Sequence, residues 1–326
     1  MTAEIHVTTL RDPEIWHGFH AESGIPSHSW SYAATFAASG IDPRIARVSN
    51  GHGRLIIPFY ERAWRGTTDI CTLLSVSGAY ARPPVAGLVD AWSEFSRAQG
   101  WVAGYLQFGP ECPQEGLEDA PEANEVFLVD LAVPDVLASA SQLIRRKVRR
   151  AAAEGATLVE NRDALAEALA HLYPRTLERV GACAAYALPA EALHVLAQAS
   201  DVMILGAGGP ERVESVMVFP YTGQRAEFFL NAGTERGRDL SAWLLTQAMR
   251  RLAGAGVEVL NLGGGVRPGD GLHRFKAMFG APSRPLRALR QIYDAGTYTR
   301  LCAQAGARPG TAWFPGYRAA GLPDRG

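Results

Sequence analysis

The sequence predicts a mixed α/β fold that is built twice. Strand-like and helix-like runs follow the same order in the two halves of the 326 residues. In each half three consecutive strand-like runs are separated by short turns, which implies an antiparallel meander. A helix and a further strand then follow, which implies a parallel crossover.

The first half opens with a strand at 5–9. Asp12-Pro13 supplies an N-cap and a first-turn proline for a helix at 13–22, and a second helix occupies 29–38. Strands follow at 43–49, 54–61 and 69–76, then a helix at 86–99 and a strand at 101–108. The second half opens with a long helix at 135–154, after which the order repeats. The repeat comprises a strand at 157–160, helices at 162–180 and 189–199, and strands at 201–206, 211–219 and 224–231. A helix at 239–253 is capped by Asp239 and stopped by Gly254 and Gly256, and a strand at 257–262 closes the series. Matching elements are offset by about 150–159 residues. Two copies of β-α-α-β-β-β-α-β give two tandem acetyltransferase-like (GNAT) lobes, each a mixed sheet flanked by helices. Residues 1–138 form the first lobe and 139–293 the second.

Composition narrows the function classes. Apolar content of 47% with 20% charged residues describes a soluble globular protein. No apolar run is long enough to cross a membrane, and the N-terminal residues lack signal-peptide character, so a cytoplasmic protein is expected. Cys71, Cys112, Cys183 and Cys302 are scattered and the histidines do not cluster, so neither a metal nor a disulfide framework is expected. A net charge of −1 does not suggest DNA binding. The charge is nevertheless unevenly spread: residues 111–140 carry eight acids and no base, and 141–150 carry five bases and no acid. From 225 to 300 there are twelve bases against six acids.

The chain holds thirty arginines and two lysines, Lys147 and Lys276. Lys147 lies among Arg145, Arg146, Arg149 and Arg150, where guanidinium would serve equally well. These arginines form two rows beside an apolar stripe of Ile144 and Val148, either as a solvated face or as a contact for RNA phosphates. Lys276 follows the glycine-rich end of the strand at 257–262, in Asn261-Leu-Gly-Gly-Gly-Val-Arg-Pro-Gly-Asp-Gly-Leu-His-Arg-Phe-Lys-Ala-Met-Phe-Gly280. Glycines there let a ligand approach the backbone. A short helix should start near Asp270, with Leu272, Phe275 and Phe279 facing the sheet and Lys276 partly buried at the edge of that stripe.

A strand ending in Asn261-Leu-Gly-Gly264, a short turn, and then Gly-Leu-His-Arg-Phe-Lys-x-x-Phe-Gly280 resembles the signature of the Fem family of aminoacyl-tRNA-dependent transferases. The basic run at 144–150 followed by Glu154-Gly-Ala-Thr-Leu-Val159, and Phe314-Pro-Gly-Tyr-Arg318, also look like this group. The resemblance spans most of the chain and is most specific at Arg274-Phe-Lys276. It implies two acetyltransferase-like lobes, with the segment 294–326 returning to the first. It also implies a reaction in which an amine attacks the ester joining an amino acid to tRNA, giving an amide. Lys276 matches the family's lysine and would face the developing oxyanion. Phe275 either stacks on the tRNA end or fills the core.

The candidates to meet the aminoacyl-tRNA acceptor end are Arg274, Gly263, Gly264, Asn231, Arg236 and the four arginines of the basic run. Tyr80 and Arg82, with Tyr173, Arg175 and Tyr221, are candidates to hold the amine acceptor, either a small metabolite of a natural-product pathway or a soluble peptidoglycan precursor. No cofactor is expected beyond aminoacyl-tRNA as co-substrate. The alternative donor is acyl-CoA. Against it, Asp239 and Ser241 stand where a pyrophosphate-binding loop would carry glycines.

Overall fold

The computed structural model describes residues 3–83, 85, 87–112, 117, 120–181, 186–209, 212–265, 269–307 and 313–319. Pro84, Cys183 and Arg267, with parts of the C-terminal segment, lie outside the described residues.

The first half runs β1 (Glu4–Thr9), α1 (Pro13–Ser23), α2 (Trp30–Ala37), β2 (Pro43–Ser49), β3 (Arg54–Trp64), β4 (Thr67–Thr72), β5 (Tyr80–Arg82), α3 (Leu88–Ala98), β6 (Ala103–Phe108) and β7 (Glu122–Asp130). The second runs α4 (Gln142–Ala153), β8 (Thr157–Val159), α5 (Arg162–Val180), α6 (Ala190–Gln198), β9 (Val202–Gly209), β10 (Arg212–Thr222), β11 (Arg225–Glu227), β12 (Leu230–Gly233), α7 (Glu235–Gly254), β13 (Val259–Asn261) and α8 (Gly271–Ala277). The chain then adds β14 (Ser283–Ile292) and α9 (Ala295–Gln304).

Strand pairing displays the duplication. β1, β2, β3 and β4 form an antiparallel meander, and β4 lies parallel to β6 after the crossover through α3. β8, β9, β10 and β11 do the same, and β11 lies parallel to β13 after α7. One sheet runs through both halves in the order β1-β2-β3-β4-β6-β14-β7-β13-β11-β10-β9-β8. The return of the chain to the first half therefore begins at Ser283, ahead of the boundary expected at 294, because β14 pairs with β6 as well as β7.

The halves also share a core. Trp16, Phe19, Tyr32 and Phe36 from α1 and α2 pack with Leu165, Leu169, Leu193 and Leu196 from α5 and α6, all buried. The C-terminal segment is anchored on the first half by Asp69, which is fully buried and accepts from Tyr317 (2.9 Å) and Arg318 (2.7 Å) and pairs with Arg62.

Three expectations are corrected. The helix predicted at 135–154 starts only at Gln142, because Ser141 caps it by accepting from the Ile144 N–H. The helix predicted at 239–253 starts at Glu235, capped by the Thr234 hydroxyl, so Asp239 lies inside it. The strand predicted at 224–231 is split: Phe228 donates to Asn261 of β13 and Phe229 to Val218 of β10. Both pieces stay paired with β10, and the strand leaves β13 after Phe228, which opens the sheet beside the end of β13.

Candidate functional site

The split strand, the end of β13 and two first-half loops meet around Asn261. Its amide donates to the Val76 carbonyl (3.1 Å) and the Ser77 hydroxyl (3.3 Å), and its side-chain oxygen accepts from Gly263 N (2.8 Å). One asparagine thus fixes the glycine-rich turn and ties it to the loop after β4. That loop is braced in turn: Gly78 N donates to Ser75 Oγ (2.8 Å) and Gln107 Nε2 to Ser75 O (3.1 Å).

On one side of Asn261 lies Lys276, 5% exposed. Asp270 caps α8 by accepting from His273 N (2.7 Å), which sets the helix so that Lys276 turns inward. Its ammonium donates to the Gly264 carbonyl (2.8 Å) and lies 5.5 Å from the Phe228 ring centroid. Burial pushes its pKa down to about 7, opposed by the charge of Asp270. The lysine is therefore more deeply buried than an edge position implies, whereas Leu272 is 39% exposed and does not face the sheet. Phe279 is buried, and Phe275 packs edge-on against it at 5.4 Å within the second-half core. Phe275 is half-buried, with one part of its ring against this core.

On the other side of Asn261, Glu227 of β11 is 1% exposed and in register with it. One carboxylate oxygen accepts from Ser27 Oγ (3.0 Å), while the other has no hydrogen bond. Burial raises its pKa to about 7, opposed by the Ser77 and Ser27 hydroxyls and by Arg225. Ser27 sits in a turn held by His28, a fully buried neutral imidazole bonded to the Gly78 carbonyl (2.7 Å) and the Ser23 hydroxyl (2.9 Å). Ser27, Ser77, Glu227 and His28 escaped notice as site residues in the sequence. A usable signal was present for Glu227, an acid wedged between Ala226 and Phe228-Phe229 within a strand.

A narrow crevice opens beside Glu227. It is partly open to solvent and is lined by Pro26, Ser77, Tyr80, Leu128, Val259 and Asn261 among others. Arg225 and Glu111, also in its lining, pair at 2.5 Å.

The other predicted site residues are placed as follows. Tyr80 reaches the crevice, but Arg82 is exposed on β5 and does not line it. Tyr173 is buried in the shared core with its hydroxyl on the Tyr186 carbonyl, Arg175 is exposed on α5, and Tyr221 packs against the second-half core, so none of the three lines the crevice. Gly263 and Gly264 make their close approaches to protein rather than leaving room for a ligand. A Cβ at Gly264 would collide with the Glu125 carbonyl of β7, and one at Gly263 with Val76. Asn231 is half-buried on β12, and Arg236 is exposed in the first turn of α7. Arg274 is exposed on α8. Arg145, Arg146 and Arg149 line one shallow open hollow on α4, whereas Arg150 is tied to Glu154 at 2.7 Å. The start of α4 abuts the end of α8, with Ser141 N donating to Met278 O (2.8 Å). Among the described residues no cluster of metal-ligating side chains occurs, and no helix is long and apolar enough to cross a membrane.

The scaffold around this site is a Fem-like, acetyltransferase-related fold. FemX superposes with a TM-score of 0.67 over 91% of this chain and 99% of its own, at 13% identity. The C-terminal domain of a putative lysylphosphatidylglycerol synthetase from Agrobacterium fabrum gives 0.60 over 89% and 94%, at 15% identity. L-PGS from Bacillus licheniformis gives 0.56 over 86% and 92%, at 14% identity. No family model and no curated protein matches the chain in sequence.

Proposed function

We propose that the protein is an aminoacyltransferase that moves an amino acid from aminoacyl-tRNA to an amine and forms an amide bond. The observation that carries this reading is the buried Lys276 ammonium at the end of β13. It has three donors and Gly264 takes one. Burial makes its charge costly in the resting site, so an oxyanion forming beside it would be stabilised more strongly than the starting ester carbonyl, which is the condition for rate acceleration.

The tRNA part of the reading is supported by the arginines of α4. They provide sequence-independent phosphate contacts, and their helix begins where the Lys276 helix ends. The alternative donor, acyl-CoA, is disfavoured on grounds that replace the expected Asp239 cap. At the start of α7 the Gly237 N–H is already taken by the Thr234 hydroxyl, and the Glu214 carboxylate bonds the same hydroxyl. A pyrophosphate there would meet a negative charge and an occupied donor. In the first half, α3 carries Asp90 in its first turn. The acceptor is an amine of either a small metabolite or a soluble peptidoglycan precursor.

The test is amide formation from a pool of charged tRNAs and candidate amines, followed by mass spectrometry. Ribonuclease should abolish the product. Ribonuclease-resistant product from a defined acyl-CoA would replace this reading with the alternative.

A further inference from the structure

We propose that the crevice between the two halves takes the primary amine of the acceptor as an ammonium ion, and that Glu227 removes its proton. The proton-removal step rests on the transfer reaction above, whereas the binding step stands without it.

The geometry selects the ligand's charge. Glu227 presents an unbonded oxygen in a buried position, where an unpartnered carboxylate is costly. No lysine or arginine pairs with it among the described residues, because Arg225 is engaged by Glu111. Beyond the Arg225–Glu111 pair, the lining sets the Ser77 hydroxyl, the Cys112 thiol and the Asn261 amide near Glu227 and holds no further basic side chain. A cation completes this site, and an anion would be repelled from it.

The dimensions select the ligand's shape. The crevice has room for about two or three waters, which admits an –NH3⁺ group on a slender carbon, whereas a quaternary ammonium has no N–H to donate to the carboxylate. Leu128, Val259 and Pro26 offer apolar walls for that carbon. Position follows from Asn261, which pairs in register with Glu227 and holds the turn whose next residue, Gly264, binds Lys276. The amine and the oxyanion donor thus flank the same strand end, on either side of Asn261.

The step balances without a further reactant. The first ammonium proton passes to Glu227, freeing the nitrogen lone pair. The lone pair forms the C–N bond to the acyl carbon, and the bond from that carbon to the ribose oxygen breaks. The second nitrogen proton ends on that ribose oxygen, and Glu227 releases its proton to water. With its pKa raised to about 7, Glu227 is ionised in part at neutral pH and basic enough to accept the proton.

The binding step is tested on the full chain by thermal melting with methylammonium chloride and, at matched ionic strength, tetramethylammonium chloride. Methylammonium should raise Tm by about 1–3 °C near saturation. Tetramethylammonium should not, and Glu227→Gln should abolish the shift. Equal shifts with both salts, or an undiminished shift in the variant, overturn the proposal. Should the variant fail to fold, the wild type decides alone: its methylammonium shift must fade from about pH 8 to about pH 5.5 as Glu227 protonates, and a pH-independent shift counts against the proposal. In turnover, Glu227→Gln should lower kcat/KM for an alkylamine by about 100-fold, with the rate restored, after subtraction of the enzyme-free reaction, by hydroxylamine, which is already unprotonated at neutral pH. Equal losses with both nucleophiles sink the proton-removal step. Failure of the wild type to use charged tRNA refutes the transfer reaction but not ammonium binding, because the melting experiment contains no tRNA.

Discussion

Lys276 and Glu227 carry opposite charges into buried positions, and burial moves their pKa values toward each other, both to about 7. The signs of their effects on stability are opposite. For Lys276 the folded value lies below the unfolded one, so its contribution is complete above about pH 10.5 and is lost as pH falls through 7. For Glu227 the folded value lies above the unfolded one, so its contribution is complete below about pH 4.5 and is lost as pH rises through 7. Together they place a trough in stability near neutrality. A Lys276→Met/Glu227→Gln double variant should melt above wild type near pH 7, with the difference shrinking toward both pH 4.5 and pH 10. A difference that is flat across pH would show that burial has not shifted these groups. In turnover, Lys276→Met should lower kcat by at least about 100-fold. Lys276→Arg should not recover it, since the broad guanidinium does not fit a space shaped by Gly263, Gly264 and Phe228. Lys276 was legible because it is one of two lysines and lies in a motif. For Glu227 only its apolar flanks were legible; its role was not, because its environment is assembled from β11, the Ser27 turn and the Ser77 loop, which are distant in sequence.

At the level of elements, caps and glycines decide where the chemistry sits. Asp270 was readable as the cap of α8, since an acid before a short apolar-periodic run is a local signal. β7 and β14 were not readable. β7 places its polar residues first and its apolar residues together, without alternation, and β14 carries Pro285, three arginines and a register shift between Leu286 and Arg287. Both strands are specified by their neighbours in the sheet rather than by their own pattern. Because the Gly264 backbone presses on β7, Gly264→Ala should destabilise the protein by about 1–3 kcal/mol and also reduce turnover, through displacement of the carbonyl that holds Lys276. Chemical denaturation and kinetics measure the two effects separately. On α4, Arg145→Ala/Arg149→Ala should leave melting within about 0.5 kcal/mol of wild type. It should raise KM for charged tRNA and flatten the dependence of KM on salt, because each lost phosphate contact removes counterion release. An unchanged salt slope would return α4 to the role of a solvated face.

At the scale of the molecule, the duplication was legible because the order of elements is a local property repeated along the chain. The seam between the halves was not, because β14 crosses the expected boundary and the shared core draws on four helices from both halves. The C-terminal segment is fastened by Asp69, whose carboxylate is shared by Arg62, Arg318 and Tyr317. Asp69→Asn leaves two poorly hydrated guanidinium groups facing a neutral partner and should cost about 3 kcal/mol, read from urea denaturation.

The insertion of β14 between β6 and β7 bears on the order in which the protein can be made. As the chain leaves the ribosome, β6 and β7 emerge long before the strand that must lie between them, and until residues 283–292 follow, each presents an unsatisfied backbone edge. Neither half can close its part of the sheet on its own schedule. A gene cut between the halves would yield two fragments, one holding the gap and the other the strand that fills it, each complete only in the presence of the other.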